Sequence, residues 1–78
     1  MNIVDIKGKS SYVRFILDNG TYIKGDGELL VNGFCVYKDT LRLVSNEIET
    51  SLSEEEKQEV VLAVNSFLAG KKFKVDFA

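Results

Sequence analysis

Two Asn-Gly dipeptides, each set between apolar runs, constrain this chain more than any other feature. The first follows Tyr12-Val13-Arg14-Phe15-Ile16-Leu17-Asp18 and precedes Thr21-Tyr22-Ile23-Lys24. The second follows Glu28-Leu29-Leu30-Val31 and precedes Phe34-Cys35-Val36-Tyr37. Asn-Gly supplies the positive φ angles of a type I′ turn, whose twist matches that of paired strands. Two tight antiparallel hairpins are therefore expected. A two-residue loop at Asn19-Gly20 sets Leu17 opposite Tyr22 and Ile16 opposite Ile23. The same loop at Asn32-Gly33 pairs Val31 with Phe34, Leu30 with Cys35 and Leu29 with Val36. On that register Tyr22 shares a face with Val13, Phe15 and Leu17, while Ile16 and Ile23 meet on the other face beside Tyr12 and Arg14.

The remaining segments fit around these hairpins. Asn2 to Ile6 reads as an edge strand, Gly25-Asp26-Gly27 and Lys38-Asp39-Thr40 as turns, and Leu41 to Val44 as a further strand. Both faces of the second hairpin are apolar, which places it centrally with one face under a helix. Ser45 to Ser51 reads as a polar connection. Ser53 with Glu56 three residues on is a capping box, and Glu54 and Glu55 suit the positive end of a helix dipole. Val60, Val61, Val64, Phe67 and Leu68 follow at helical spacing, and Gly70 stops the helix. Lys72 to Ala78 alternates, with Phe73, Val75 and Phe77 on one side, and reads as a final strand. The expected fold is α+β in a single domain, 1–78. An antiparallel meander of about five to six strands carries one helix (about 53–69) on one face and a C-terminal strand.

Composition narrows the function by what it withholds. With 78 residues and no histidine, the chain lacks the commonest general base and metal ligand. Its one cysteine makes no intrachain disulfide, and Cys35 lies in an apolar strand pattern that favours a buried, inert thiol. Gly25 and Gly27 form a G-x-G with no helix after it, the wrong context for a dinucleotide. No cofactor, metal site or catalytic residue is expected, and the chain does not read as an enzyme. A net charge of −2 argues against nucleic acid as a direct partner. The first residues lack the apolar core of a signal peptide, and no run approaches a membrane span, so a cytoplasmic location is expected.

Two surface patterns remain. Glu47, Glu49, Glu54, Glu55, Glu56 and Glu59 fall within thirteen residues, with Lys57 the one cation among them. Capping and solvation explain such a run without a partner. As a surface it suits a basic partner and raises the rate of encounter. Tyr12, Tyr22 and Tyr37 are residue types common at interfaces, though strands favour them anyway. An apolar patch on the outer sheet face wants a cover, supplied by a partner protein, a second copy, or the sheet curling on itself.

One family shares this order of segments. The stretch Ser11-Tyr12-Val13-Arg14-Phe15, then Asp18-Asn19-Gly20, then Gly27-Glu28-Leu29-Leu30-Val31-Asn32-Gly33-Phe34, then Tyr37-Lys38, Ser53-Glu54-Glu55-Glu56-Lys57 and Phe73-Lys74-Val75-Asp76-Phe77 resembles the immunity protein 74 family. Its members are small proteins encoded beside toxin genes in bacterial polymorphic toxin and contact-dependent growth inhibition systems. The resemblance implies a protein that binds a cognate toxin C-terminal domain in the cytoplasm and occludes it. The acidic run suits a nuclease toxin with a basic cleft, and makes Glu47, Glu49, Glu54, Glu55 and Glu59 the expected partner contacts. Two other readings stay open: a homodimeric adaptor, or a nucleic-acid-binding β module stacking bases on Tyr12 and Tyr22 beside Arg14.

Overall fold

A single long strand organises the molecule. In the computed structural model, which describes residues 1–78, the strands are β1 (Ile3–Gly8), β2 (Tyr12–Leu17), β3 (Tyr22–Leu30), β4 (Gly33–Val36), β5 (Arg42–Ser45), β6 (Ile48–Ser51) and β7 (Lys74–Phe77). One helix, α1 (Glu54–Leu68), precedes β7, and a 3₁₀ turn spans Lys38–Thr40. The first part of β3 pairs with β2 on one side and β5 on the other; its second part pairs with β4. The result is a curled, mostly antiparallel sheet with β1, β6 and β7 at its edges. The α+β class holds, with seven strands. The last strand, β7, runs parallel to β4.

Gly25-Asp26-Gly27 is not a turn, as its composition suggests, but the bend at which β3 passes from one set of partners to the other. Close approach explains both glycines. A Cβ at Gly25 would overlap the Val36 side chain, and one at Gly27 would overlap the Cys35 carbonyl and lie 2.9 Å from the Phe34 ring. The backbone of Asp26 stays satisfied through the bend: Thr40 Oγ1 accepts from its N–H at 2.8 Å, and Tyr37 N–H donates to its carbonyl at 2.9 Å.

Neither Asn-Gly forms a type I′ turn. In the first hairpin Phe15 faces Ile23 and Ile16 faces Tyr22, one residue off the expected register. The loop is three residues, Asp18 to Gly20, with positive φ at Gly20 alone, the pattern of a type I turn with a G1 bulge. Asn19 Oδ1 accepts from Thr21 N–H and Oγ1 and stabilises this longer loop. A one-residue slip exchanges the faces of a strand. Ile23 is therefore in the core and Tyr22 on the outer face, the reverse of the expectation. In the second hairpin Leu29 faces Phe34 and Leu30 faces Gly33, a slip of two that preserves the faces. Here Asn32 takes the positive φ, and Gly33 serves another purpose: a Cβ there would meet the Lys74 carbonyl of β7.

The turn with positive φ at both central residues lies at Asn46 (51°) and Glu47 (66°), joining β5 to β6. Ser45 to Ser51 is thus a hairpin rather than a plain connection. Its exposed β6, with Ile48 the one apolar residue, gives no apolar alternation to read.

The core lies between the concave face of the sheet and α1. Val13, Phe15, Ile23, Phe34 and Val36 meet Val60 and Val64, with Leu41, Leu52 and Val75 closing the ends. The helix starts as its sequence dictates. Ser53 Oγ accepts from Glu56 N–H at 3.1 Å, and the Glu56 carboxylate accepts from Ser53 N–H at 2.9 Å. Gly70, at φ 79°, ends it, and Lys71 Nζ donates to the Phe67 carbonyl.

Candidate functional site

The six glutamates that fall within thirteen residues of sequence are divided by the fold. Glu49 faces Val44 across the β5–β6 ladder, on the outer side of the sheet. There its carboxylate accepts from Arg42 Nε at 2.7 Å. Arg42 also donates to Asp26 at 3.2 Å and to the Thr40 carbonyl at 2.8 Å, so it ties β5, β6 and the bend of β3 together. Burial alone would lower the Arg42 pKa. The hydrogen bonds to Asp26 and Glu49 and their negative charges outweigh it and raise the pKa above its usual value. The guanidinium therefore stays charged wherever the chain folds.

Glu54 is paired as well, with Lys57 at 3.3 Å. Lys57 lies on the inward side of α1, its side chain 13 % exposed, and reaches Asp39 of the 3₁₀ turn at 4.0 Å. Glu56 closes the capping box. Three glutamates make no ion pair or side-chain hydrogen bond: Glu47 at the tip of the β5–β6 turn, and Glu55 and Glu59 on α1. Glu55 and Glu59 are one turn apart on the exposed side of the helix, with Leu62 (61 % exposed) and Ser66 continuing the same stripe. The fold thus brings Glu55 and Glu59 together, sets Glu47 on a separate turn, and turns Glu49 toward the opposite side of the sheet. Glu59 and Leu62 also border a groove closed by Met1, Ile3 and Phe67.

The outer face of the sheet gathers the other polar group that the sequence pointed to. The Arg14 guanidinium carbon lies 5.3 Å from the ring centres of both Tyr12 and Tyr22, and Lys24 Nζ lies 4.7 Å from the Tyr12 ring. Each ring already carries a cation, so a base stacking on it would compete with that contact. Ile16 faces Tyr22, and Tyr22 faces Val44, which is buried outside the main core. On the outer face Val44 is buried, and Tyr12, Ile16 and Tyr22 are half-buried. Cys35 is half-buried in β4.

The result is a curled α+β sheet with one capped helix, built around side chains that hold each other and leave a few unpaired charges at the surface. The chain belongs to the immunity protein 74 family, whose family model matches residues 5–78. That match takes in β2 to β7, the helix and all of β1 but its first two residues. Neither a curated protein nor a solved structure matches the chain. No helix is long and apolar enough to cross a membrane.

Proposed function

We propose that this chain is an immunity protein that binds one cognate toxin domain in the cytoplasm and neutralises it by covering its working surface. The family match over residues 5–78 carries the reading. Its extent supports neutralisation by a folded surface rather than by a short motif. A rigid, capped module loses little conformational freedom on binding, which favours affinity.

Within this reading the toxin contacts are the acidic residues first suggested by the sequence. Glu47, Glu55 and Glu59 provide them directly. Glu54, held by Lys57, contributes as a fixed, partly neutralised charge, and Glu49, held by Arg42 on the opposite side of the sheet, is a separate contact. Such a surface suits a toxin that is basic around its cleft, a nuclease being the chemistry it fits best. The test is a stoichiometric complex between this chain and the C-terminal domain encoded immediately upstream. The wild type should form a one-to-one complex, and the double reversal E55K/E59K should weaken it about tenfold or more while leaving the melting temperature within a few degrees. Failure of the wild type to bind that domain, with both proteins folded, overturns the reading.

A further inference from the structure

The corrected register of the first hairpin produces an arrangement that the sequence conceals. Lys7 of β1 faces Arg14 of β2, Arg14 faces Lys24 of β3, and Lys24 faces Arg42 of β5. Four cations stand side by side across four adjacent strands on the outer face. Like charges directly opposite one another destabilise a sheet. At the β5 end the repulsion is relieved, because Arg42 is paired with Asp26 and Glu49. Lys7, Arg14 and Lys24 form no ion pair within the chain.

Arg14 is the centre of this row. Tyr12 and Tyr22 hold its guanidinium between them, and its Nε is shut off from solvent with no hydrogen-bond partner. Its two terminal nitrogens also make no bond within the chain, yet they are not sealed from solvent as Nε is. The outcome is a planar donor fork packed against two rings, its terminal nitrogens unbonded and open to solvent. Such a fork matches a carboxylate in bidentate geometry, at reduced entropic cost because the two rings already restrict the side chain.

We infer that the outer face of β1, β2, β3 and β5 is a docking surface for an acidic protein segment, with Arg14 gripping one carboxylate and Lys7 and Lys24 engaging its neighbours. A protein segment is favoured over a nucleic-acid strand because the tyrosine rings on which bases would stack are already occupied by Arg14 and Lys24. Of the carboxylates that flank the row, Asp26 and Glu49 are paired with Arg42, which leaves Asp5 alone without an ion pair. A second copy docked symmetrically on this face would set cation row against cation row. Only for the identity of the partner does the inference rest on the immunity reading, in which the segment belongs to the toxin polypeptide. The molecule measures 30 × 22 × 21 Å. A partner covering the helix side therefore reaches the opposite face with a flanking segment of roughly ten extended residues, at about 3.3 Å each.

The experiment titrates the whole chain with a decaglutamate peptide at low salt, followed by the Arg14 Nε–Hε resonance and the backbone amides of β2 and β3. Saturable shifts centred on Arg14 and Lys24 are expected. They should be lost in K7E, an exposed substitution, and in the half-buried K24Q, with both variants still folded by circular dichroism. In parallel, K7E should bind the upstream-encoded toxin polypeptide about tenfold more weakly than the wild type, through a salt-sensitive association rate. Three outcomes overturn the inference: no shift with decaglutamate, equal shifts in K7E, or shifts produced by oligothymidylate but not by decaglutamate. If the wild type fails to bind the toxin polypeptide, the immunity reading falls separately and the peptide titration still decides this one.

Discussion

Replacing Glu47 with glycine should make this protein more stable, and the size of the gain follows from one backbone angle. Glu47 sits at φ 66° beside Asn46 at φ 51°, the two central positions of the β5–β6 turn. The left-handed region costs an L-residue about 1–2 kcal/mol, a penalty that asparagine partly escapes and glutamate does not. Glycine removes that penalty but adds about 0.5–1 kcal/mol of backbone entropy lost on folding. The Glu47 side chain is exposed and makes no hydrogen bond or ion pair, so no contact is forfeited. The net gain is about 0.5–1 kcal/mol. In a domain of this size, 1 kcal/mol moves the melting temperature by about 4–8 °C, so E47G should melt about 2–8 °C higher. Thermal and urea unfolding followed by circular dichroism measure it. An E47G protein that melts at or below the wild type refutes the reasoning, because either the turn is not as described or Glu47 makes a contact in the free chain. If E47G is also weaker against its partner, the strain is retained for binding, the usual reason for an uncommon backbone conformation at a functional position.

Four further outcomes follow from the same geometry. Ser53→Ala removes half of the capping box and should cost about 1 kcal/mol, read as a lower urea midpoint with an unchanged slope. Gly33→Ala drives a Cβ into the Lys74 carbonyl and should detach β7, seen as loss of amide-exchange protection at Lys74 and Ala78, whose N–H groups donate to the Asn32 and Val36 carbonyls, before the rest of the sheet opens. Phe34→Ala empties a fully buried site and should cost about 3–5 kcal/mol, much of the total stability of a small domain, so its melting temperature should collapse. Arg42→Met should cost no more than about 1 kcal/mol, because Asp26 and Glu49 are half exposed and solvent screens what they lose; a larger loss would show that the guanidinium is a structural keystone.

The helix was legible because its signals are local. Ser53, Glu56 and the spacing of Val60, Val64 and Phe67 act within one or two turns, and no distant element competes with them. The hairpins were legible as hairpins but not in register. Asn19-Gly20 serves a two-residue or a three-residue loop equally well, and the choice rests on how Asn19 bonds Thr21 and on Ile23 needing the core. Gly25 and Gly27 carry the composition of a turn, yet their cause is long-range: the Val36 side chain and the Cys35 carbonyl press against them from β4. The turn at Asn46-Glu47 was missed because glutamate is a poor residue for it, and parallel pairing of β7 leaves no mark in an alternating pattern. The acidic run was visible in the sequence, but its division was not, because that depends on where Arg42 and Lys57 reach. The cation row was hidden by the single-residue slip, which would have set Arg14 opposite Gly25 instead of Lys24.

The account stands or falls on neutralisation of a toxin by direct binding, and a growth-rescue assay tests that most directly. The C-terminal domain encoded immediately upstream is expressed in bacterial cells with and without this chain. The expected result is growth arrest by the domain alone and full recovery when the wild-type chain is present, with reduced recovery for E55K/E59K expressed at the same level. A domain that arrests growth equally in the presence of soluble, folded wild-type chain, or one that has no effect on growth, contradicts the account.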